Sequence, residues 1–253
     1  MSVEDAEIAA LVRRTFGLAE RIAPIVQDAI VPIWCENHNG GRSLVGTGFF
    51  VEKYRRSFLV TARHNFTENP GAILKVDFRG LIRNLNQMEG ESSTEDDLWV
   101  TEVDAELHRN LKEIRVPMLS RDHPEMCRFG TGTVLIGFPE DLNLQGDSFK
   151  PLAISTILEM RNLSTKIKLP EALVFNVNSD LLSTVDGKPV MHRPDVFGMS
   201  GGPVFSWHCP INPTSGKQDF HFFLQGMIVS WQRVDGYVVA CNASQIAGLV
   251  ARI

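Results

Sequence analysis

The sequence lacks several features by which common classes of protein are recognised. Its four cysteines lie far apart and form no C-x-x-C pair. No apolar run approaches the roughly 18 residues of a membrane span. The N-terminal stretch MSVEDAEIAALVRR has neither the basic start nor the apolar core of an export signal. We therefore expect a cytoplasmic protein with reduced thiols.

The sequence also lacks an excess of basic charge and a recognisable metal-ligand pattern. The formal net charge of −5 gives the chain no positive surplus, so we expect neither nucleic acid nor a membrane as a partner. His208, Cys209 and His221 come nearest to a zinc site, but their spacing matches no common ligand pattern. We expect no metal and no organic cofactor.

The chain is rich instead in short apolar or alternating runs separated by turn-forming residues. These runs are AIVPIWCE (29–36), LVGTGFFVEK (44–53), SFLVTARH (57–64), AILKVDF (72–78), LWVTEV (98–103), GTVLIGF (132–138), ALVFNV (172–177), GPVFSW (202–207), FHFFLQGMIVSW (220–231) and GYVVAC (236–241). Many short strands bounded by Gly, Asn, Asp and Pro predict an antiparallel all-β fold. A doubly wound α/β sheet would need a helical segment after most strands, and the sequence does not provide them.

Helical periodicity is confined to the two ends of the chain. Residues 3 to about 23 carry apolar side chains at three- and four-residue spacing, and a second helix is predicted from about 243 to 250. The first helix either packs on the protein's own body or docks a partner. The polar stretch 84–97 predicts a surface loop.

The segment RVPMLSRDHPEMC (115–127) separates two strand-rich halves of similar size. We predict an N-terminal helical extension over residues 1–25, a first β-barrel over 26–118, and a second β-barrel with the C-terminal helix over 119–253.

The turn FGMSGGPVF (197–205) carries the strongest functional signal. Its residues 198–202 satisfy G-x-S-x-G, but in an α/β-hydrolase a helix follows that serine, and the acid and histidine lie downstream. Here a predicted strand follows Ser200. The alternative order, His, Asp, Ser, is present, because His64 follows the strand SFLVTA and Asp97 opens another strand 33 positions later.

With these segments the chain resembles the trypsin-like (chymotrypsin-fold) serine peptidases. The matching pieces GTGFFVE, LVTARH, DLWV, GFPE, GMSGGPVF and GMIVSW run in family order from residue 30 to about 245. They are most similar to the disulfide-free bacterial branch that contains the HtrA/Deg catalytic domain, here without a PDZ domain. The resemblance implies two antiparallel six-stranded β-barrels, with helices at both ends of the chain and the active site between the barrels.

The resemblance assigns a role to each residue of the triad. His64 is the general base that activates Ser200, and Asp97 orients the imidazole and stabilises its charged form. The backbone N–H groups of Gly198 and Ser200 form the oxyanion hole. The neighbouring Asp96 is expected to point to the opposite side, and Asp104 is expected to be a turn or cap residue.

Two further expectations concern activation and specificity. Met199 stands where trypsin has the aspartate that captures a new N-terminal amine, so activation by cleavage is not expected; a loop rearrangement or a regulatory protein partner is the more natural route. Ser230 is a candidate donor to Asp97. By family analogy the substrate pocket is framed by Asp195, Phe197, Ser230, Trp231 and Gln232.

The sequence therefore predicts a serine endopeptidase that acts on a protein or peptide substrate through an acyl-enzyme. Two rival hypotheses stay open at this point. One is a catalytically silent binding or regulatory module on the same fold. The other is an esterase on an α/β scaffold.

Overall fold

The computed structural model describes residues 21–112, 132–144, 148–157, 172–177, 182–184, 195–208, 221–233 and 236–253. Within these ranges the chain forms two curled antiparallel sheets, each of seven strands. The predicted all-β class with two antiparallel barrel-like units is confirmed. Each sheet contains seven strands where six were predicted.

The first sheet follows residues 30–102 of the chain. Its strands are β1 (Ile30–Glu36), β2 (Arg42–Lys53), β3 (Arg56–Ala62), β4 (Lys75–Phe78), β5 (Leu81–Asn84), β6 (Gly90–Ser93) and β7 (Leu98–Glu102), in the spatial order β5-β4-β1-β2-β3-β7-β6. Strands β2 and β3 are joined by the two residues Tyr54 and Arg55, which have φ of 54° and 64°. Positive φ at both positions is typical of a type I′ turn, whose twist matches that of the strands.

The second sheet is formed by later residues. Its strands are β8 (Gly132–Gly137), β9 (Leu152–Ile157), β10 (Leu173–Asn176), β11 (Leu182–Thr184), β12 (Pro203–His208), β13 (His221–Gln232) and β14 (Tyr237–Asn242), in the spatial order β10-β14-β13-β12-β8-β9-β11. The long strand β13 pairs with both β12 and β14 and has a register shift within each pairing. Such bulges let a strand bend as a sheet curls.

One apolar core joins the two sheets. Phe49 and Phe58 of the first sheet and Phe205 of the second belong to the same buried cluster. Burying side chains of this size stabilises a fold by roughly 1.5–3 kcal/mol each. The boundary between the sheets is therefore a packed interior and not a flexible joint.

Four α-helices and two short 3₁₀ helices, Gln27–Ala29 and Leu85–Gln87, accompany the sheets in the described ranges. The α-helices are α1 (residues 21–26), α2 (His64–Thr67), α3 (Ala105–Leu111) and α4 (Ala243–Val250). Asp104 caps α3, because its carboxylate accepts from the N–H of Leu107 at 2.8 Å, as expected. None of the described helices is both long and apolar enough to cross a bilayer.

The C-terminal helix α4 is confirmed, and it reaches back to the first sheet. A capping box between Asn242 and Gln245 starts it. The side chain of Gln245 also donates to the carboxylate of Asp96, and Lys53 donates to the carbonyl oxygen of Ala247 at 2.8 Å. The last helix of the chain thus stabilises the first sheet as well as the second.

Helix α1 packs on the protein itself. Ile22, Ala23 and Val26 are at most 1% exposed and belong to the core that joins the sheets. The predicted end near residue 23 is about one turn too early, because this buried face continues to Val26. Residues 1–20 lie outside the described ranges.

Three other expectations need correction or stay open. The predicted surface loop 84–97 contains the end of β5 and all of β6. The prediction was wrong because β6 is an exposed edge strand, and its polar sequence GESS resembles that of a loop. Strands β5, β9 and β11 and helices α2 and α3 were not predicted. The proposed boundary between residues 118 and 119 lies outside the described residues, so the domain limits remain a prediction.

Candidate active site

His64 and Asp97 come together because their strands are neighbours. Strand β3 ends at Ala62, opposite Leu98 of β7, so the residues that follow β3 lie beside those that precede β7. The N–H of Arg63 donates to the carbonyl oxygen of Asp97 at 3.0 Å. Asp97 has a φ of 53°, in the left-handed region that aspartate tolerates better than most residues.

The Asp97 carboxylate accepts two hydrogen bonds from His64. The ring Nδ1–H donates to Oδ2, and the backbone N–H donates to Oδ1 at 2.9 Å. The two side chains are 23% and 25% exposed, so the pair is partly shielded from water. This arrangement fixes the ring orientation and leaves Nε2 as the nitrogen that faces away from the carboxylate.

The environment raises the pKa of His64. Burial lowers this pKa, but the hydrogen bond and charge of Asp97, together with the charge of Glu68, outweigh burial and raise it above the ordinary value. The carboxylate therefore stabilises the imidazolium form.

We expect an NMR titration to place the His64 midpoint above about 6.5, the ordinary value. Asp97→Asn should move the midpoint downward, because the lowering effect of burial remains when the carboxylate is lost. The charged pair stabilises the fold below about pH 6.5, and this stabilisation is lost as pH rises through the raised pKa. Asp96→Asn is the matched control. An equal midpoint in the wild type and Asp97→Asn would contradict the assignment.

Asp96 is not an alternative partner for His64. Its carboxylate accepts from the hydroxyl of Ser93 at 2.7 Å and from the side chain of Gln245. As expected, Asp96 points away from His64. The reason differs from the expected one, because Asp97 has left-handed rather than extended backbone geometry.

Ser200 lies in a tight turn directly before β12. Gly198 and Gly201 have φ of 86° and 88°, a conformation that glycine adopts without steric cost. The N–H of Met199 donates to the carbonyl oxygen of Val196 at 3.1 Å. The side chain of Met199 is 1% exposed within the apolar core of the second sheet, which fixes the turn to that sheet.

The peptide planes that carry the N–H groups of Gly198 and Ser200 are held by their carbonyl groups, which belong to Phe197 and Met199. The carbonyl oxygen of Phe197 accepts from the N–H of Glu140 at 2.7 Å, and that of Met199 accepts from Gly202 at 2.8 Å. Among the described residues, the N–H groups of Gly198 and Ser200 have no acceptor. Because a trans peptide is planar, fixing each carbonyl also fixes the direction of these N–H groups, which stay available to a ligand.

The turn packs against the first sheet next to the end of β3. The N–H of Thr47 donates to the carbonyl oxygen of Ser200 at 2.9 Å, and the Thr47 hydroxyl donates to that of Gly198 at 2.8 Å. In the described part of the chain, no hydrogen bond joins the Ser200 hydroxyl to His64. The structure thus brings His64 and Asp97 into direct contact and places Ser200 across the boundary between the sheets.

Asp195 and Phe197 differ in their exposure to solvent. The carboxylate of Asp195 lies 3.3 Å from the guanidinium of Arg233, so its charge already has a partner. The Phe197 side chain is 54% exposed, next to the turn of Ser200. An apolar surface at this position is more accessible to a ligand than the Asp195 carboxylate.

The other three pocket residues lie at the end of β13. The hydroxyl of Ser230 accepts from the side chain of Gln232 at 3.3 Å, and no hydrogen bond joins it to Asp97 in the described residues. The expected support of Asp97 by Ser230 is therefore not observed. Trp231 packs against the core of the second sheet.

The described cysteines are poor nucleophiles. Burial raises the pKa of Cys241 to about 12 and raises that of Cys35. A thiol with a raised pKa has little reactive thiolate at neutral pH. Cys127 and Cys209, the latter part of the zinc alternative, lie outside the described residues.

Sequence reasoning missed three buried polar residues at the centre of the site. Thr47, Thr61 and Asn65 are at most 1% exposed and connect the first sheet to the turn of Ser200. Thr47 lies in the GTGFFVE segment and Asn65 directly follows His64, but nothing in the sequence distinguishes them from ordinary surface residues.

The fold is that of the trypsin-like, chymotrypsin-fold proteases. The HtrA-type protease AlgW with a tripeptide is 17% identical over 93% of this chain and 62% of its own, with a TM-score of 0.55. A variant of AlgW with a decapeptide is 15% identical over 93% of this chain and 65% of its own, with a TM-score of 0.54. The chain thus spans less than two thirds of the length of these AlgW chains.

A viral structure has a similar fold and a more similar length. This structure comes from work on the coupled folding and binding of the intrinsically disordered Sesbania mosaic virus VPg protein. Its chain is 13% identical to this one over 87% of this chain and 89% of its own, with a TM-score of 0.50. No family model and no curated protein sequence matches the chain. The similarity defines the fold, and membership of the HtrA branch remains a hypothesis.

Proposed function

We propose that the protein is a serine endopeptidase that hydrolyses peptide bonds of a protein substrate. The observation that supports this most is the pair of hydrogen bonds by which one carboxylate, Asp97, holds both the ring and the backbone of His64. A histidine oriented in this way next to a glycine-rich serine turn suits the activation of a hydroxyl nucleophile.

In the proposed reaction the Ser200 oxygen attacks the carbonyl carbon of the substrate. Nε2 of His64 takes the hydroxyl proton and then delivers it to the leaving amine, which departs when the C–N bond breaks. Water repeats the attack on the acyl-enzyme with the same histidine as base, and Ser200 is regenerated.

The two unpaired N–H groups supply the oxyanion hole of this proposal. When the carbonyl carbon becomes tetrahedral, its oxygen gains negative charge and accepts from Gly198 and Ser200. One such donor is commonly worth roughly 3 kcal/mol of the barrier. Because both peptide planes are fixed by their carbonyls, the donors do not have to reorient during the reaction.

The substrate class that we propose is a peptide or protein. AlgW has been solved with short peptides, which supports a peptide or protein substrate here. The exposed ring of Phe197 favours an apolar contact near the scissile bond, and the Asp195–Arg233 pair makes selection of a basic residue by Asp195 alone less favourable. We keep a reducing, cytoplasmic setting and a regulatory protein partner as hypotheses.

The test is intact-mass analysis after treatment with diisopropyl fluorophosphate. The attacking serine oxygen displaces fluoride from phosphorus, so an activated serine gains one mass increment. We expect one adduct on the wild type and none on Ser200→Ala or His64→Ala. Ser244→Ala and His38→Ala change exposed residues outside the site and should label like the wild type.

The other outcomes are informative as well. Adduct on Ser200→Ala would place the reactive serine elsewhere and refute the assignment. No adduct on correctly folded wild type would contradict the proposal and favour a silent binding module.

A further inference from the structure

Three buried polar side chains lie between the element that carries His64 and the turn that carries Ser200. Thr47 is on β2, Thr61 is on β3, and Asn65 is in α2; their exposures are 0%, 0% and 1%. Burying polar groups is unfavourable unless they have hydrogen-bond partners. Their bonds therefore show what the cluster holds in place.

These hydrogen bonds form a closed ring that includes the backbone of Ser200. The Asn65 amide donates to the Thr61 hydroxyl at 2.9 Å, and that hydroxyl donates to the carbonyl oxygen of Thr47 at 2.7 Å. The N–H of Thr47 donates to the carbonyl oxygen of Ser200 at 2.9 Å. The Asn65 amide closes the ring with a longer bond to the same oxygen, at 3.5 Å.

From this ring we infer that Asn65 is a positioning residue, which together with Thr61 fixes the backbone of Ser200 relative to His64. The inference rests on the proposed function, because it concerns the distance between base and nucleophile. Asn65 directly follows His64 in the chain, so a bond from its side chain to Ser200 ties the two elements together. It touches neither the reacting hydroxyl nor the imidazole.

The chemistry of the ring requires a donor at position 65. The single proton of the Thr61 hydroxyl is already given to Thr47, so this oxygen can only accept from Asn65. The carbonyl oxygen of Ser200 also can only accept. An NH₂ group supplies two protons and satisfies both, whereas a carboxylate or a hydrocarbon at this position satisfies neither.

The surrounding backbone leaves room for this amide. A Cβ placed on Gly46 would overlap the side chain of Asn65, so a glycine there is required for the amide to lie where it does. The side chain of a second asparagine, Asn69, donates to the carbonyl oxygen of Asn65 at 3.0 Å. This bond stabilises the backbone of α2 and does not involve Ser200.

The test compares variants that separate hydrogen bonding from packing. Thr61→Val keeps the shape and loses the hydroxyl, whereas Thr61→Ser keeps the hydroxyl and loses a methyl group. Asn65→Asp keeps the shape and removes both donors. Asn69→Ala removes a bond to the same helix and serves as the control.

We expect Asn65→Asp and Thr61→Val to lower the fluorophosphonate inactivation rate at saturating reagent by about tenfold or more, because small displacements of reacting groups cost this much. The half-saturating concentration should change little. Thr61→Ser and Asn69→Ala should stay within about twofold of the wild type. Equal losses in Thr61→Val and Thr61→Ser would overturn the inference and indicate a packing role.

A second readout keeps this inference separate from the proposed function. Hydrogen exchange by mass spectrometry reports on residues 197–202 whether or not the wild type is labelled. Asn65→Asp should accelerate exchange there, and Asn69→Ala should not. If the wild type is not labelled but this difference appears, the proposed function fails and the structural link stands. Unchanged exchange in Asn65→Asp would overturn the link itself.

Discussion

Asp97→Asn is expected to lower the fluorophosphonate labelling rate, and any peptidase activity, by about 10⁴-fold. The wild-type carboxylate accepts from both Nδ1–H and the backbone N–H of His64. The asparagine amide has only one acceptor oxygen. If its NH₂ group faces the ring, the imidazole proton moves to Nε2, which then cannot accept the proton of Ser200.

The matched control for this prediction is Asp96→Asn. It makes the same chemical change one residue away, where the carboxylate contacts Ser93 and Gln245 and not His64. Labelling rates measured at several pH values should show a change of no more than severalfold for this variant. A loss below about tenfold in Asp97→Asn would mean that the carboxylate does not set the tautomer of the base.

Gly201→Ala is expected to cost more than about 4 kcal/mol of the free energy of unfolding, at the extreme of single substitutions. The residue has φ of 88°, and a Cβ there would overlap the carbonyl oxygen of Thr47 and the hydroxyl of Thr61. It would also lie 2.9 Å from the backbone nitrogen of Ala62. Since most of these atoms are backbone or buried, the two sheets would have to separate.

Substitutions at two other glycines separate the cost of positive φ from the cost of steric overlap. Gly40 has a positive φ of 76°, but nothing lies within 4 Å of a Cβ added there. Gly40→Ala should therefore lower the free energy of unfolding by about 1–2 kcal/mol. Gly248→Ala, in an open position of α4, should stabilise by about 0.5–1 kcal/mol. Urea unfolding of the three variants checks the order. A cost for Gly201→Ala close to that of Gly40→Ala would contradict the close packing of the sheets.

The strands that were predicted correctly are those whose sequence carries its own signal. In β2, β3 and β13, apolar or alternating residues are bounded by turn formers, and β-sheet pairing follows from that local pattern. The proximity of His64 and Asp97 was also predictable, because each is attached to the end of a predicted strand. Their contact is then a consequence of β3 pairing with β7.

The features that were missed depend on contacts between distant residues. The edge strand β6 is polar and becomes a strand only because β7 lies next to it. Asn65 is buried because Ser200, 135 positions away in the chain, packs over it. The left-handed backbone of Asp97 was missed for another reason, because aspartate tolerates this conformation but does not require it.

The position of α4 has a consequence for how the protein is made. Its hydrogen bonds to Asp96 and Lys53 span 149 and 194 positions of the chain. The strands of the second sheet are therefore synthesised before the first sheet can form these bonds. Contacts this far apart in the chain form slowly and late. A nascent chain contains His64 and Asp97 early but lacks the support of Gln245 until α4 has been synthesised. The pair of His64 and Asp97 would then receive this support only after the strands of the second sheet have been synthesised.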